Sequence, residues 1–184
     1  MVDLTEKTLG VKRVFEGRAL TIDVVDIEIP GGRRSTREII RHRGAAVIIG
    51  ERPDGKYVLI YQYRKAVEET LLEMVAGCLE EGEAIEECAR REMEEESGYK
   101  VESIEKYAEI VSSPGYSAER LHLFYAKIAQ EPDQQNPDFD ENLVTVVMSE
   151  QEVYQAIDSG RMIDAKSITA WLLWQRKRDS MLGK

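Results

Sequence analysis

Apolar residues recur along the chain in changing rhythms, and the changes mark the elements. Over residues 21–29 (TIDVVDIEI) Ile, Val, Ile and Ile return every second or third place, as in a strand with one buried face. Pro30-Gly31-Gly32 reads as a turn, and residues 35–41 return as a second strand. Residues 1–43 are therefore a small β-rich segment containing a hairpin. The run Ala45-Ala46-Val47-Ile48-Ile49-Gly50 is apolar without interruption, as a strand buried on both faces requires. Asp54-Gly55 is a turn signal, residues 57–64 (YVLIYQYR) form another strand, and residues 71–76 are a short extended piece ending at Gly77.

The rhythm then becomes helical. Ala84, Ile85, Cys88, Ala89 and Met93 make one apolar stripe, acid in the first turn suits the helix dipole, and Gly98 sits where a C-terminal cap belongs. Strands are expected at 104–111 and 121–129, with the loop Ser112 to Tyr116 between them. Residues 130–142 (QEPDQQNPDFDEN) are a polar, acidic loop, followed by a strand at 143–148. Ser149 opens a helix with Glu152 in capping-box position, and Asp164 caps a last helix carrying Ile168, Trp171, Leu172 and Leu173.

Composition narrows the class. With 184 residues, 42% hydrophobic and 33% charged, the chain reads as one ordinary globular domain with an N-terminal extension. No apolar run is long enough for a membrane span, and MVDLTEKTLG lacks the apolar core of a signal peptide, so a cytoplasmic protein is expected. Two cysteines, Cys78 and Cys88, are too few for a disulfide framework and read as reduced thiols. Neither has zinc-ligand spacing with His42 or His122. A formal charge of −10 argues against nonspecific nucleic-acid binding. It also demands divalent cations if the substrate is an anion.

Glu92, Glu95 and Glu96 stand at i, i+3 and i+4, on one helix face. Alone they could be a solvated acidic surface. Their frame decides otherwise. GCLEEGEAIEECARREMEEESGY, residues 77–99, resembles the Nudix box at every defined position: Gly77, Glu83, Arg91, Glu92, Met93, Glu95, Glu96, Gly98 and Tyr99. In that setting Gly77 lets the backbone come close to metal and phosphate, and Arg91 can pair with Glu83. The resemblance implies an α/β/α sandwich around a mixed sheet, here residues 44–184. It further implies that residues 1–43 are a dimerisation arm of a homodimer. Glu92 and Glu96 would be ligands of Mg²⁺ or Mn²⁺, with Glu95 a further or water-mediated ligand. The carbonyl of Ala76 would also bind the metal.

Features outside the box resemble the ADP-ribose pyrophosphatase and nucleotide-sugar group. They are Gln62-Tyr63-Arg64, the LExxAG lead-in from Leu72 to Gly77, Ser113-Pro114-Gly115 with Glu119, and the stretch Gly160 to Lys166. By this resemblance Arg64 contacts phosphate or ribose, while Arg37 and Glu38 complete the nucleotide site across the dimer. Cys78, Ser113, Pro114, Gly115 and Glu119 are further substrate-binding positions. A late acidic loop supplies a metal-binding general base, for which Glu141 is the first choice and Asp140 the second, with Glu95 also a catalytic candidate. Phe139 stands where many relatives carry another glutamate, and Phe15-Glu16-Gly17 is followed by Arg18 and Ala19 rather than by an aromatic for adenine. The expected reaction is hydrolysis of a nucleotide-sugar diphosphate, ADP-ribose first, to AMP and ribose 5-phosphate. GDP-mannose or a broad range of nucleotide sugars is the alternative. A non-catalytic nucleotide sensor would be expected to lose box carboxylates, and a diphosphate isomerase would need a better placed cysteine.

Overall fold

A computed structural model describes residues 3–18, 20–133, 135 and 142–183. Its elements run β1 (Lys7–Glu16), β2 (Thr21–Glu28), β3 (Arg34–Arg41), β4 (Ala45–Glu51), β5 (Tyr57–Arg64), β6 (Glu69–Glu73), β7 (Val75–Cys78), α1 (Ile85–Ser97), β8 (Val101–Val111), β9 (Arg120–Ile128), β10 (Leu143–Met148), α2 (Glu150–Asp158) and α3 (Ala165–Met181). Contacts divide the chain into two units. One is the chain up to Gly44 together with Val111–Arg120, and the other is Ala45–Ile110 with the chain from Leu121 onward.

In the second unit β4 is the middle of the sheet. The order is β10-β5-β4-β9-β8, with β6 on β5 and β7 on β4. β4 and β9 are parallel, from Ala45 opposite Leu121 to Glu51 opposite Lys127. β7 lies antiparallel to the first half of β4, placing Gly77 opposite Ala46 and Ala76 opposite Val47.

Alternation along these strands feeds two cores. Val47, Ile49, Leu59 and Leu123 pack with Val153, Trp171 and Trp174 of α2 and α3. Ala46, Ile48, Val58, Ile60 and Phe124 pack with Cys88, Ala89 and Met93 of α1. The uninterrupted apolar run of β4 is thus a strand covered on both sides, and the layers are helix, sheet, helices. Gly50 belongs to the same packing: a Cβ there would meet the Met93 methyl at 2.5 Å.

The helix ends follow their sequence signals. Ser149 accepts from Glu152 N and Glu152 reaches back to Ser149 N, a capping box. Asp164 accepts from Ser167 N. Gly98 closes α1 with φ 75°. Along α3, however, the buried positions are Ser167, Ala170, Trp171, Trp174 and Gln175, while Leu172 is exposed. Trp171 is buried as expected and Ile168 and Leu173 pack half-buried against the core, but Ser167, Ala170 and Gln175 share the buried face with the two tryptophans. The extended piece before Gly77 is also two strands, β6 and β7, which break at the buried Met74.

The first unit is an antiparallel sheet, β1-β2-β3, joined by a parallel bridge from Ile40 to Ser117. The hairpin of β2 and β3 is present, and β1 adds a third strand that the hydrophobic pattern does not announce. Its pairing with β2 shifts register between Thr8 and Gly10 and again between Arg13 and Phe15. These irregularities break the period-two pattern. Asp23, on the middle strand, is buried and accepts from Arg13 of β1 at 3.1 Å and Arg41 of β3 at 2.8 Å. The two guanidiniums hold its carboxyl below the usual carboxylate range, Arg41 contributing most.

Trp171 is fully buried and meets Tyr57 edge-to-face at 4.8 Å between ring centroids. Trp171→Ala is expected to cost roughly 3–5 kcal/mol. Urea unfolding followed by far-UV circular dichroism measures it, and a loss below about 1 kcal/mol would mean that α3 does not lock this core.

Candidate active site

β7 brings the chain from Val75 to Cys78 alongside β4, and α1 then runs back over the same face of the sheet. This path sets Glu92 over Gly77. A Cβ at Gly77 would lie 1.9 Å from Glu92 Cδ and 2.1 and 2.2 Å from its two oxygens. Only a residue without a side chain leaves the carboxylate its place. One turn further along α1, the Glu96 Oε2 accepts from Ala76 N at 3.4 Å. Glu92 and Glu96 are 9% and 1% exposed. They are therefore not a solvated acidic face, because burying carboxylates costs free energy that a solvated face would not meet.

Arg91 ties the loop to the helix. Its Nε and Nη2 donate to the two oxygens of Glu83 at 2.8 and 3.0 Å. Nη1 donates to Glu92 at 2.8 Å and to Glu95 at 3.2 Å, and Nη2 reaches the Cys78 carbonyl at 3.4 Å. The Arg91 bond is the largest influence on Glu83, whose carboxyl stays below its usual range. Glu83 in turn raises the Arg91 pKa further. The pairing of Arg91 with Glu83 read from the sequence is present.

A second charged group lies at the ends of β5 and β6. Arg64 donates to the two oxygens of Glu73 from Nε at 2.8 Å and Nη2 at 2.7 Å. Lys166 also donates to Glu73, and to Asp164 at 3.0 Å. Glu73 is fully buried. Burial alone would push its pKa up, but Arg64 and Lys166 outweigh burial and hold the carboxyl below its ordinary value. Arg64 is raised chiefly by its bonds to Glu73, and the negative charges of Glu96 and Asp164 add to this. The guanidinium therefore lies within electrostatic reach of one α1 carboxylate, Glu96.

A NUDIX domain model matches residues 40–172. The chain is 37% identical to a methanol dehydrogenase activator of Bacillus methanolicus over 90% of both chains. It is 34% identical to an ADP-ribose pyrophosphatase of Bacillus subtilis (strain 168) over 92% of both. Against a GDP-mannose pyrophosphatase of Yersinia enterocolitica it is 33% identical over 85% of this chain and 86% of that one. A crystal structure described as an ADP compounds hydrolase superposes with a TM-score of 0.83 at 22% identity, covering 98% of each chain. The chain belongs to the NUDIX domain family. The same superposition bears out the expected fold, a mixed sheet between helical layers.

The family's box is thus assembled around Gly77, Glu83, Arg91, Glu92, Glu95 and Glu96. Among the described residues no three His, Cys, Asp or Glu side chains stand close enough to hold a metal as they are. Arg91 accounts for part of that spacing, since it draws Glu92 and Glu95 toward its own nitrogens. The donor chemistry nevertheless fits a hard divalent cation. The donors are oxygen only: three carboxylates (Glu83, Glu92, Glu95) contact one guanidinium and Glu96 stands one turn along the helix at Ala76 N, so the NUDIX box carries excess negative charge.

Other expected site residues divide between the units. Cys78 is an exposed thiol at the end of β7. Arg37 and Glu38 lie on β3 of the first unit, where Arg37 pairs with Glu6 and donates to the Thr36 carbonyl at 2.9 Å. In the same unit the Ser113 carbonyl accepts from Tyr116 and Ser117, forming the turn through Pro114 and Gly115. Glu119 accepts from Ser112 Oγ at 2.6 Å, with His42 3.6 Å away. Asp140 and Glu141 lie outside the described residues.

Sequence reasoning passed over two groups. Glu73 and Lys166 were visible only as letters of flanking motifs, without a task. Gln135, in the acidic stretch, had no signal at all. Its amide donates to the Glu96 carbonyl at 2.8 Å and to Thr145, while Asp133 N donates to the Gly98 carbonyl at 2.7 Å. The chain entering the acidic stretch is thereby fastened to the end of α1.

Gly77→Ala is expected to displace the Glu92 carboxylate and lower metal-supported turnover about a hundredfold or more, since small misplacements at a site are that costly. Steady-state rates at saturating Mg²⁺ measure this, and wild-type turnover would remove the cradle from the account. Glu73→Gln should cost roughly 2 kcal/mol at neutral pH by leaving its half-buried cationic partners, Arg64 and Lys166, uncompensated. Because the folded pKa of Glu73 is depressed, its contribution is full above the ordinary value of 4.5 and disappears as the pH falls through the lower folded value. Urea unfolding of wild type and variant at stepped pH should show the gap closing in acid; a constant gap would assign it to packing.

Proposed function

We propose that the protein hydrolyses the diphosphate of nucleoside diphosphate sugars, with ADP-ribose split to AMP and ribose 5-phosphate. The observation that carries this reading is the assembled box: Gly77 beneath Glu92, with Arg91 joining Glu83 to Glu92 and Glu95. The substrate class is supported by the 34% identity to an ADP-ribose pyrophosphatase across nearly the whole length of both chains.

In this reading the Ala76 carbonyl, Glu92, Glu95 and Glu96 hold Mg²⁺ or Mn²⁺, with Glu141 as a ligand from the acidic stretch. A divalent cation supplies neutralisation of the diphosphate and Lewis acidity at phosphorus. The chain's own groups do the rest. Arg64 binds phosphate by charge-assisted hydrogen bonds. A carboxylate oxygen of Glu141, or of Asp140, takes the proton from the attacking water. One phosphorus–oxygen bond forms, the bridging bond breaks, and two phosphomonoesters leave. Ser113, Pro114, Gly115, Glu119 and Cys78 contribute to the substrate pocket.

Association into a homodimer belongs to the same reading. Arg37 and Glu38 of one arm would complete the nucleotide site of the other subunit. Leu9, Val11, Val14 and Phe15 of β1 are exposed in the single chain and offer the apolar surface that such an association would cover. A cytoplasmic location accords with two cysteines that form no disulfide. Among the described residues no helix is long and apolar enough to cross a membrane.

GDP-mannose is the second substrate reading, favoured by the similar Yersinia pyrophosphatase and by Arg18, which follows Gly17 where an adenine-stacking aromatic would be useful. Phosphatase-coupled phosphate release on ADP-ribose, GDP-mannose, UDP-glucose, dinucleoside polyphosphates and NADH decides between them. NADH belongs in the panel because one relative activates a dehydrogenase and the dinucleotide carries the same diphosphate. ADP-ribose is expected to give the highest kcat/KM; no release from any compound would sink the enzymatic reading. Glu96→Gln should keep the fold and lower turnover by about two orders of magnitude or more. Glu141→Gln should also be slow, and if only Asp140→Asn is slow, the base is Asp140.

A further inference from the structure

We propose that Glu73 is a positioning residue, which presets the Arg64 guanidinium for the phosphate groups of the substrate. This rests on the diphosphate reading above. A guanidinium has five N–H donors along its edges. Glu73 engages one edge, Nε and Nη2, with both carboxylate oxygens. Among the described residues Nη1 has no partner, and the Arg64 side chain is 37% exposed. The edge made by Nη1 and the second hydrogen of Nη2 therefore remains available. It has the geometry that binds two oxygens of a phosphate at once.

Three observations make the arrangement a device for binding as well as a fold contact. Glu73 is fully buried at the end of β6, with Ile60 of β5 as its strand partner, so its carboxylate has a fixed place. Lys166 shares that carboxylate, so Glu73 does not cancel the Arg64 charge alone. Arg64 also lies within electrostatic reach of Glu96, the carboxylate assigned to the cation that meets the same diphosphate. A long arginine fixed before the ligand arrives does not need to be ordered on binding.

The test combines a double-variant cycle with two separate readouts. Calorimetry with ADP and Mg²⁺ reports binding, and phosphate release from ADP-ribose reports catalysis. Glu73→Gln and Arg64→Ala are each expected to weaken ADP binding tenfold or more and to raise KM, with kcat within about threefold of wild type. The double variant should be no weaker than Arg64→Ala alone, because Glu73 acts through Arg64. Arg64→Lys keeps a cation against Glu73 but gives up the fork, and it should also lose about tenfold in ADP affinity. That variant decides the matter if Glu73→Gln does not fold. Additive losses, unchanged ADP affinity in Glu73→Gln, or wild-type affinity in Arg64→Lys overturns the proposal. A wild-type protein that binds ADP but hydrolyses nothing sinks the hydrolase reading, while the same calorimetric comparison still decides the role of Glu73. Failure of the wild type to bind ADP overturns the positioning role.

Discussion

The Arg91 guanidinium bonds five groups at once: Glu83 through both oxygens, Glu92, Glu95, the Cys78 carbonyl and, at 3.8 Å, the Cys88 sulfur. Three glutamates converge there, and their mutual repulsion is offset by this one cation. Glu83 belongs to the loop and the others to α1, so one side chain fixes the path of the chain between β7 and the helix. Gly77 makes that path possible by leaving room for the Glu92 carboxylate. The excess negative charge that Arg91 does not cancel is what a divalent cation would answer.

The rest of the second unit gives this cluster a rigid floor. β4 carries β7 on one edge, runs parallel to β9 on the other, and buries both its faces. The helix bearing the carboxylates is pressed on one face by Cys88, Ala89 and Met93. On the other face Ser167 Oγ, at the start of α3, accepts from Met74 N at 2.8 Å, between β6 and β7. Both strands leading into the box are thus held from opposite layers of the sandwich.

Much of this was legible along the chain, for physical reasons that differ by element. The continuous apolar run of β4 marks burial on both sides. Ser149 with Glu152, Asp164 and Gly98 are chemical signals that act locally, so they read true without tertiary context. The three glutamates were placed on one face by helical spacing alone, and the frame around them singled them out. What was hidden depends on contacts distant in sequence. β1 lacks a clean alternation because its register shifts twice. Glu73 is an acid in a strand that ordinary reasoning would expose to water. Only the meeting of β5, β6 and α3 gives it two cationic partners. Arg64 was read as a substrate contact, and nothing in the sequence revealed that one of its edges is already engaged. In α3 the aliphatic residues suggested one face, whereas Ser167, Ala170 and Gln175 share the buried one with the two tryptophans.

The bond between Gln135 and Thr145 has a consequence for how this scaffold can vary. It ties Gln135 to β10, and the same amide grips the last turn of α1. Asp140 and Glu141 stand in sequence between these two anchors, and the free energy of closing a chain between fixed ends changes slowly with its length, about 0.6 kcal/mol for a doubling. Insertions or deletions there would therefore change the reach of the proposed base far more than the stability of the fold.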